Sequence, residues 1–148
     1  PTIIGNLSGA SMSMYKDLIT GKMPMLPQSS INMSDVRDIA EIHVKALENK
    51  QAAGKRFIVT TENPHSFQEM AQILKHKGYS KVSTKVAPNF FLIFMANFSN
   101  DLKGMLPFIG FVYNADISET INIFDCKPID LKKTVLDTAE SIDNILDS

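Results

Sequence analysis

The side chains that could support acid–base, nucleophilic or metal chemistry are three histidines, one cysteine and a pair of aspartates. His43, His65 and His76 are far apart and have no carboxylate or thiol at metal-ligand spacing, so no metal site is expected. His43 falls on the apolar face of a predicted helix, where we expect a hydrogen-bonded core histidine. His65 and His76 are expected to be solvated.

Cys126 and the aspartate pair favour structural roles over catalysis. The sequence places no base beside Cys126, so we expect a buried, inert thiol. Asp35 and Asp38 stand at the start of a predicted helix, where they serve better as an N-cap and a dipole partner than as catalytic acids. The seven glycines are scattered and form no GxGxxG array, so no phosphate cradle for a dinucleotide is predicted.

Charge and composition exclude two classes of partner. The 15 basic and 16 acidic residues give a net charge of −1, and no basic cluster is interleaved with aromatic residues, so nucleic acid is not an expected partner. The most apolar stretch, residues 90–98, is shorter than the roughly 20 residues of a membrane span. A single cysteine fits a reducing compartment, and we expect a cytoplasmic protein.

Apolar residues at helical spacing predict helices with recognisable capping residues. Ser34 or Asp35 can cap the best-defined helix, whose apolar face is expected to be buried. Ser66 and Glu69 form a capping box for the next helix, and Gly78 ends it. The apolar face of the first of these two helices comprises Val36, Ile39, Ala40, His43, Val44 and Leu47. Further helices are predicted within residues 14–19, 88–98, 118–123 and 131–146.

Short β-branched and aromatic runs predict strands. Residues 2–4 and 57–61 are expected to be neighbouring parallel strands covered on both faces. Residues 31–33 are expected to pair with residues 112–114 in a small outlying sheet. The phenylalanines and methionines of residues 90–111 either line an apolar ligand pocket or pack in the core, and the residues alone leave both interpretations open.

The run SDVRDIAEIHVKAL at residues 34–47 resembles the VDVRDVAxxHxxAL segment of extended short-chain dehydrogenases/reductases, within the NAD-dependent epimerase/dehydratase superfamily. The resemblance is closest to the dihydroflavonol-4-reductase-like aldehyde and ketone reductases. Further stretches follow in the order of that family: PTIIGN at 1–6, AGKRFI at 53–58, VYNA at 112–115, KP at 127–128 and TAES at 138–141.

This resemblance implies an α/β fold in which the chain is the C-terminal, substrate-binding portion and the Rossmann N-terminal half is absent. Residues 1–7 and 55–61 would be strands of the Rossmann sheet. Residues 8–54 and 62–148 would form the substrate side, mostly helical with short parallel strand pairs. We therefore expect the chain to be part of a longer protein.

The resemblance also implies where the chemistry lies. The Gly-rich loop, the catalytic serine and the Tyr/Lys pair of the family precede this portion, so no catalytic residue is expected here and the chain is expected to be inactive alone. Accordingly, no tyrosine of the sequence is followed by a lysine four positions later. The implied activity is NADP(H)-dependent reduction of a small or aromatic aldehyde or ketone.

The cofactor-side candidates are Pro1, Ile4 and Ser13. By resemblance, the backbone of residues 1–4 approaches the nicotinamide end of NADP(H), and Ser13 lies on the cofactor side. From the residues alone, residues 1–4 are equally a strand end, and Ser13 is a helix cap. Residues 8–14 and 88–111 correspond to segments that shape the substrate pocket in the family.

Two other functions stay open. A nucleotide-sugar epimerase or dehydratase shares the architecture but needs basic residues for a diphosphate, and the two arginines, Arg37 and Arg56, sit within structural motifs. A regulatory module without catalysis is the third class. Asn6 and Cys126 depart from the family's usual proline and aromatic residue, which leaves the substrate open.

The absence of the other half predicts exposed apolar surface. Strands such as residues 57–61 would leave unpaired edges. We expect these to be covered by the missing N-terminal half or by a second copy of the chain, which predicts a homo-oligomer whose interface includes residues 2–4 and 57–61.

Overall fold

The computed structural model describes residues 7, 9–98, 103–104, 106 and 110–147. This part of the chain is mostly helical, and its two short strands pair antiparallel, Ser30 opposite Ser66 and Ile31 opposite His65. Each described helix is too short or too polar to span a lipid bilayer. The elements in chain order are α1 (Ala10–Ile19), β1 (Ser30–Ile31), α2 (Val36–Glu48), β2 (His65–Ser66), α3 (Phe67–Lys77), α4 (Asn89–Met95), α5 (Ser118–Phe124) and α6 (Leu131–Leu146).

The helix ends follow the predicted capping residues. Asp35 caps α2 by accepting a hydrogen bond from the Arg37 backbone N–H at 2.9 Å. Ser66 Oγ accepts from the Glu69 N–H at 3.0 Å, and Gly78 ends α3 with φ +113°, a conformation that glycine adopts without a Cβ penalty. The predicted Ser66 cap and the glycine stop are confirmed, because both depend only on local geometry. The other half of the predicted capping box is not observed, since the Glu69 carboxylate lies 3.1 Å from His65 Nδ1.

The main core lies between α1, α3 and α6, and we call it the three-helix core. Apolar side chains at helical spacing on these helices face one another, with Leu26 and Val82 from the adjoining loops. The Tyr15 hydroxyl is buried there and points at the Met70 sulfur, 3.6 Å away. Its buried apolar residues are Tyr15, Leu18, Ile19, Leu26, Phe67, Met70, Ala71, Leu74, Val82, Leu131, Val135, Ala139 and Ile142.

A second, smaller cluster joins α2, the 3-10 turn Lys50–Ala52, segment 57–61 and α5, and we call it the α2 layer. Its buried residues are Ile42, Ala52 and Phe124. The rings of Phe57 and Phe124 meet edge to face with centroids 4.7 Å apart, a favoured aromatic geometry.

The predicted burial of the apolar face of α2 is wrong. Ile42 is the buried residue of this helix, whereas Leu47 is 90% exposed and Val36 and Val44 are more than half exposed. His43 is exposed too, with Nδ1 2.7 Å from the Ile39 carbonyl oxygen, so it is not a core histidine. The apolar arc of α2 is wider than the surface that α5 and segment 57–61 can cover.

The predicted strand at residues 57–61 is not formed within the described structure, although the Thr61 N–H donates to Met33 O at 2.7 Å. Side chains bind two of its carbonyls: Thr120 Oγ1 donates to Ile58 O at 2.7 Å, and Ser34 Oγ donates to Val59 O. The predicted partner strand, residues 2–4, lies outside the described residues. Ile58 is more than half exposed, so the expected cover on both faces is not provided by the described part of the chain.

The predicted pairing of residues 31–33 with residues 112–114 is wrong, since Ile31 pairs with His65 and residues 112–114 form no strand. Among the described residues, the strand contacts are this antiparallel pair and one isolated parallel bridge, Leu26 with Val86. Strands of two residues carry too little pattern to specify a partner, so the neighbouring α3 decides the pairing.

Candidate ligand-binding cleft

An open cleft of about 620 Å³ lies where four segments of the chain converge: residues 27–30, the start of α3, residues 86–88 and residues 110–112. We call it the serine–glutamine cleft. Its lining residues are Pro27, Gln28, Ser29, Ser30, Ser66, Gln68, Val86, Ala87, Pro88, Gly110, Phe111 and Val112.

Backbone hydrogen bonds fix two of these segments against each other. Leu26 N donates to Lys85 O at 2.8 Å, and Ala87 N donates to Leu26 O at 2.8 Å. Leu26 is fully buried in the three-helix core, so both segments are anchored to that core. One wall of the cleft is therefore preformed.

Two further backbone hydrogen bonds join residues 28–29 to Gly110 and to the start of α3. Gly110 N donates to Gln28 O at 3.0 Å, and Phe67 N donates to Ser29 O at 3.4 Å. The Gln68 side-chain amide donates through Nε2 to Thr84 O at 3.2 Å, which fixes the direction of its carbonyl oxygen. The cleft thus presents oriented amide and hydroxyl groups on a preformed frame, as ligand sites do.

The lining is polar but carries no charge: none of its described residues is Lys, Arg, His, Asp or Glu. Five lining side chains are serines or glutamines, and prolines, Val86, Phe111 and Val112 supply apolar surface. A phosphate or carboxylate entering here would lose hydration without meeting a cation. The arrangement can bind an uncharged molecule of drug size through hydrogen bonds and apolar contact.

Asn89 adds an unusual acceptor beside the cleft. Its Oδ1 is buried and has no hydrogen-bond partner among the described residues. Asn89 follows the lining residue Pro88, and its Nδ2 lies 3.6 Å from where a Cβ on Gly110 would stand. Since a buried acceptor without a partner costs about 1–3 kcal/mol, a hydroxyl or amide of a ligand that reaches this oxygen would gain that energy.

The residues predicted to lie on the cofactor side are not brought into this cleft. Pro1 and Ile4 lie outside the described residues. Ser13 lies inside α1 and is exposed, and its N–H donates to Gly9 O at 2.8 Å. Gly9 is the N-cap of α1, so the interpretation of Ser13 as a helix cap is wrong.

The two segments predicted to shape a substrate pocket contribute only in part to the lining of the cleft. Residues 88–111 contribute Pro88, Gly110 and Phe111 to the cleft, whereas none of residues 9–14 lines it. The serines and glutamines were missed, because residues 28–30 and 66–68 are nearly 40 positions apart and only tertiary packing joins them. Their one signal in the sequence is the run of small polar residues after Pro27.

The aspartate pair has a structural role. Asp35 Oδ2 accepts from Arg37 Nη2 at 2.7 Å and from Thr134 Oγ1 at 2.8 Å, which ties α2 to α6. The Arg37 side chain, aided by its backbone N–H and by Thr134, holds the pKa of the buried Asp35 well below its usual range. Burial raises the pKa of Asp38, which accepts from the Ile129 N–H at 2.9 Å.

Cys126, predicted to be buried, is half-buried. Burial raises the pKa of the Cys126 thiol, so it stays protonated and weakly nucleophilic. It lines a cavity of about 20 Å³, which holds at most one water molecule. His65, only half-buried, lies 3.1 Å from Glu69. In the described part of the chain, no three His, Cys, Asp or Glu residues are placed to hold a metal ion.

Solved reductases share this fold. A reductase engineered to attenuate substrate inhibition in asymmetric catalysis matches with a TM-score of 0.65 and 20% identity, over 97% of this chain and 38% of that one. Gre2 from Candida albicans in complex with NADPH matches with a TM-score of 0.58 and 20% identity, over 95% of this chain and 38% of that one. Yeast methylglyoxal/isovaleraldehyde reductase Gre2, complexed with NADPH, matches with a TM-score of 0.53 and 20% identity, over 99% of this chain and 46% of that one.

No protein-family model and no curated protein matches the sequence. At 20% identity the likeness concerns the fold. This chain spans less than half the length of the reductases it matches. Over nearly its whole length, the chain has the fold of one part of the Gre2-type reductases of the extended short-chain dehydrogenase/reductase class.

Proposed function

We propose that this chain is the C-terminal, substrate-side portion of an NADP(H)-dependent carbonyl reductase and is inactive alone. The observation that carries the proposal is the match of 95–99% of the chain to reductases, two of them crystallised with NADPH. The substrate class proposed is an uncharged aldehyde or ketone, bound in the serine–glutamine cleft.

The described residues do not fit the phosphates of NADP(H). Their glycines with positive φ, at positions 21, 54, 78 and 110, stand singly at turns and build no phosphate loop. The nucleotide therefore belongs, in this proposal, to the half of the parent protein that is absent here. When bound, NADPH would supply the hydride; Pro1, Ile4 and Ser13 remain proposed cofactor-side residues.

The chain's own contribution is to bind and orient the carbonyl compound. The Gln68 amide, held by Thr84, and the Ser30 hydroxyl offer hydrogen bonds, and Phe111 and Val112 offer apolar contact. The lack of charge among the described lining residues favours a neutral carbonyl compound over a nucleotide sugar, whose diphosphate needs cations.

The exposed face of α2 is assigned to the nucleotide-binding half. Val36, Val44 and Leu47 on α2, together with Ile58, are large apolar side chains that remain more than half exposed. A helix with so wide an apolar arc is typical of a layer covered on two sides. The matched reductases have more than half their length outside the matched part, which is enough chain to supply that cover.

NADPH consumption by the isolated chain and by the product of its complete gene tests this proposal. We expect no turnover of aldehydes or ketones by the isolated chain, since hydride transfer needs a bound cofactor and a proton donor. The complete product should reduce them. Turnover by the verified 148-residue chain would overturn the fragment interpretation, and a complete gene without a Gly-rich loop and YxxxK would favour a regulatory module.

A pair of glutamines on α3 makes the substrate assignment testable in the complete protein. Gln68→Ala should raise KM for the carbonyl compound about tenfold, the effect of one lost hydrogen bond of about 1.4 kcal/mol, and leave KM for NADPH unchanged. Gln72→Ala, an exposed glutamine one turn along the same helix and outside the cleft lining, is the matched control. Equal effects of the two changes would remove the cleft from the proposal.

A further inference from the structure

One continuous segment of the chain, residues 28–34, reaches from the serine–glutamine cleft to segment 57–61, and we call it the wall segment. At one end, residues 28–30 line the cleft. At the other end, the backbone of Met33 and the side chain of Ser34 are hydrogen-bonded to segment 57–61. The position of the cleft residues is therefore tied to a part of the molecule that does not itself line the cleft.

Three hydrogen bonds hold the backbone of Met33 against two threonines, and we call them the threonine clamp. The Thr61 N–H donates to Met33 O at 2.7 Å, and Thr60 Oγ1 donates to the same oxygen at 2.8 Å. In the other direction, the Met33 N–H donates to Thr61 Oγ1 at 3.3 Å. The peptide groups on both sides of Met33 are thus fixed in direction, because hydrogen bonds weaken steeply when they bend.

The two threonine hydroxyls are well placed for this role. The Thr61 hydroxyl donates to Asn63 O at 2.9 Å, which leaves its oxygen lone pairs for the Met33 N–H. Thr60 is buried, so water competes little for its bond to Met33 O. The Met33 side chain packs against the three-helix core near Tyr15, but a flexible thioether fixes the backbone less than directional hydrogen bonds do.

The clamp matters because the strand pairing beside it is too short to fix its own register. β1 and β2 pair over two residues, with Ser30 opposite Ser66. Successive side chains of an extended segment point to opposite faces, so a slip of one residue exchanges them. In the observed register Ser30 lines the cleft, whereas Ile31 packs against the three-helix core. A slip would place an isoleucine in the cleft wall and a serine against the core.

The register also controls how the segments of the cleft are joined. Gln28 O accepts from the Gly110 N–H at 3.0 Å, and Ser29 O accepts from the Phe67 N–H at 3.4 Å. An extended chain rises about 3.3 Å per residue, so a shift of one residue at the clamp would carry both carbonyls away from their donors. These two bonds connect three of the four segments that form the cleft.

We propose that Thr61 is a positioning residue for the carbonyl substrate: through the threonine clamp it fixes the register of the wall segment and so places the Ser30 hydroxyl in the serine–glutamine cleft. This inference rests on the proposed function, because it takes the cleft as the substrate site. Thr61 does not line the cleft, so it acts through the backbone of Met33 and not by contact with the substrate.

Two variants of the complete protein test the role of the hydroxyl. Thr61→Val keeps nearly the same shape but removes both hydrogen bonds of Oγ1, and it should raise KM for the carbonyl compound about fivefold with kcat within about twofold. Thr61→Ser keeps the hydroxyl and should restore KM to within about twofold of the unaltered protein. The matched control is Thr138→Val, which removes a buried hydroxyl within α6 that donates to Thr134 O. It should leave KM unchanged even where it lowers stability.

Amide hydrogen exchange in the 148-residue chain gives a readout that does not depend on activity. Thr61→Val should speed exchange of the Gly110 and Phe67 amides about fivefold, because their acceptors lie on the wall segment. Thr61→Ser and Thr138→Val should leave both amides as they are in the unaltered chain. Circular dichroism verifies that each variant is folded.

The outcomes separate this inference from the proposed function. If the complete protein reduces carbonyl compounds but Thr61→Val leaves KM and the two amides unchanged, the inference is overturned and the proposed function stands. An equal rise in KM for Thr61→Val and Thr61→Ser, or for Thr61→Val and Thr138→Val, likewise overturns it. If the complete protein reduces no carbonyl compound, the proposed function fails, and the substrate role of Thr61 fails with it.

Discussion

The three-helix core and the α2 layer are both built on regular, amphipathic helices, but they bury very different amounts of apolar surface. The core encloses thirteen buried apolar residues, whereas the layer encloses three. In the core, each apolar face meets another face of the same chain. In the layer, α2 is covered on the side of Ile42 and left open on the side of Leu47. An amphipathic helix therefore does not show by itself whether its apolar face is covered by the same chain.

A polar network links the two regions. The buried Asp35 at the start of α2 binds Thr134 of α6, and Arg37 reaches Asp137 of α6 with Nη1 2.6 Å from Oδ2. Asp137 also pairs with Lys133, one turn earlier, at 3.0 Å. The position of α2 on the core thus depends on charge and hydrogen bonding where apolar packing is sparse.

The largest contrast is expected between two leucines. Leu74→Ala removes a fully buried side chain from the three-helix core and should lower the free energy of unfolding by about 3 kcal/mol. Leu47→Ala removes an exposed side chain from α2 and should change the free energy of unfolding by less than about 0.5 kcal/mol. Urea denaturation of both variants measures the difference. Comparable losses would show that the face of α2 is covered in the isolated chain.

The polar link is expected to have the next largest effect. Asp35→Asn leaves Arg37 without its buried partner and should cost about 2 kcal/mol at neutral pH, below the usual range for a buried pair because Arg37 is partly exposed. Glu48→Gln, an exposed carboxylate of the same helix, should cost less than about 0.5 kcal/mol and serves as control.

The pH dependence of the same variant identifies the cause. Because the pKa of Asp35 is lowered by folding, the unfolded chain binds more protons at acidic pH, and stability falls as the pH drops below the ordinary aspartate pKa of about 3.9. Burial raises the pKa of Asp38, so its contribution to stability changes with pH in the opposite direction, in the unaltered chain and in the variant alike. Urea titrations at pH 7 and pH 3 should therefore show a smaller loss for Asp35→Asn than for the unaltered chain. An equal loss would mean that Asp35 does not carry this dependence.

The smallest expected effect concerns a cap within the core. Ser66→Ala removes the acceptor of the Glu69 N–H at the start of α3 and should lower stability by about 1 kcal/mol. Ser66→Asp restores an acceptor and should recover most of the loss, while Ser80→Ala, in the turn after α3, is the control. Thermal unfolding followed by circular dichroism resolves these differences. If Ser66→Asp does not restore the stability, the loss comes from the position of Ser66 in the cleft lining and not from the missing cap.

Much of the helical structure was predictable from the sequence alone. α6 spans Leu131–Leu146, as its periodicity predicts, and α3 lies between the predicted Ser66 cap and the Gly78 stop. These features depend on neighbours three or four positions apart, so local geometry decides them. The resemblance at residues 34–47 agrees with the fold of the matched reductases.

The strand partner of Ile31, the exposure of α2 and the serine–glutamine cleft were decided only by tertiary structure. Periodicity shows that α2 has an apolar face but not whether the same chain covers it, because burial depends on what packs opposite. The pairing of Ile31 with His65 and the meeting of Gln28 with Gly110 join segments separated by 34 and 82 positions. No spacing rule along the chain reaches that far, so contacts of this range are fixed by how α1, α3 and α6 pack together.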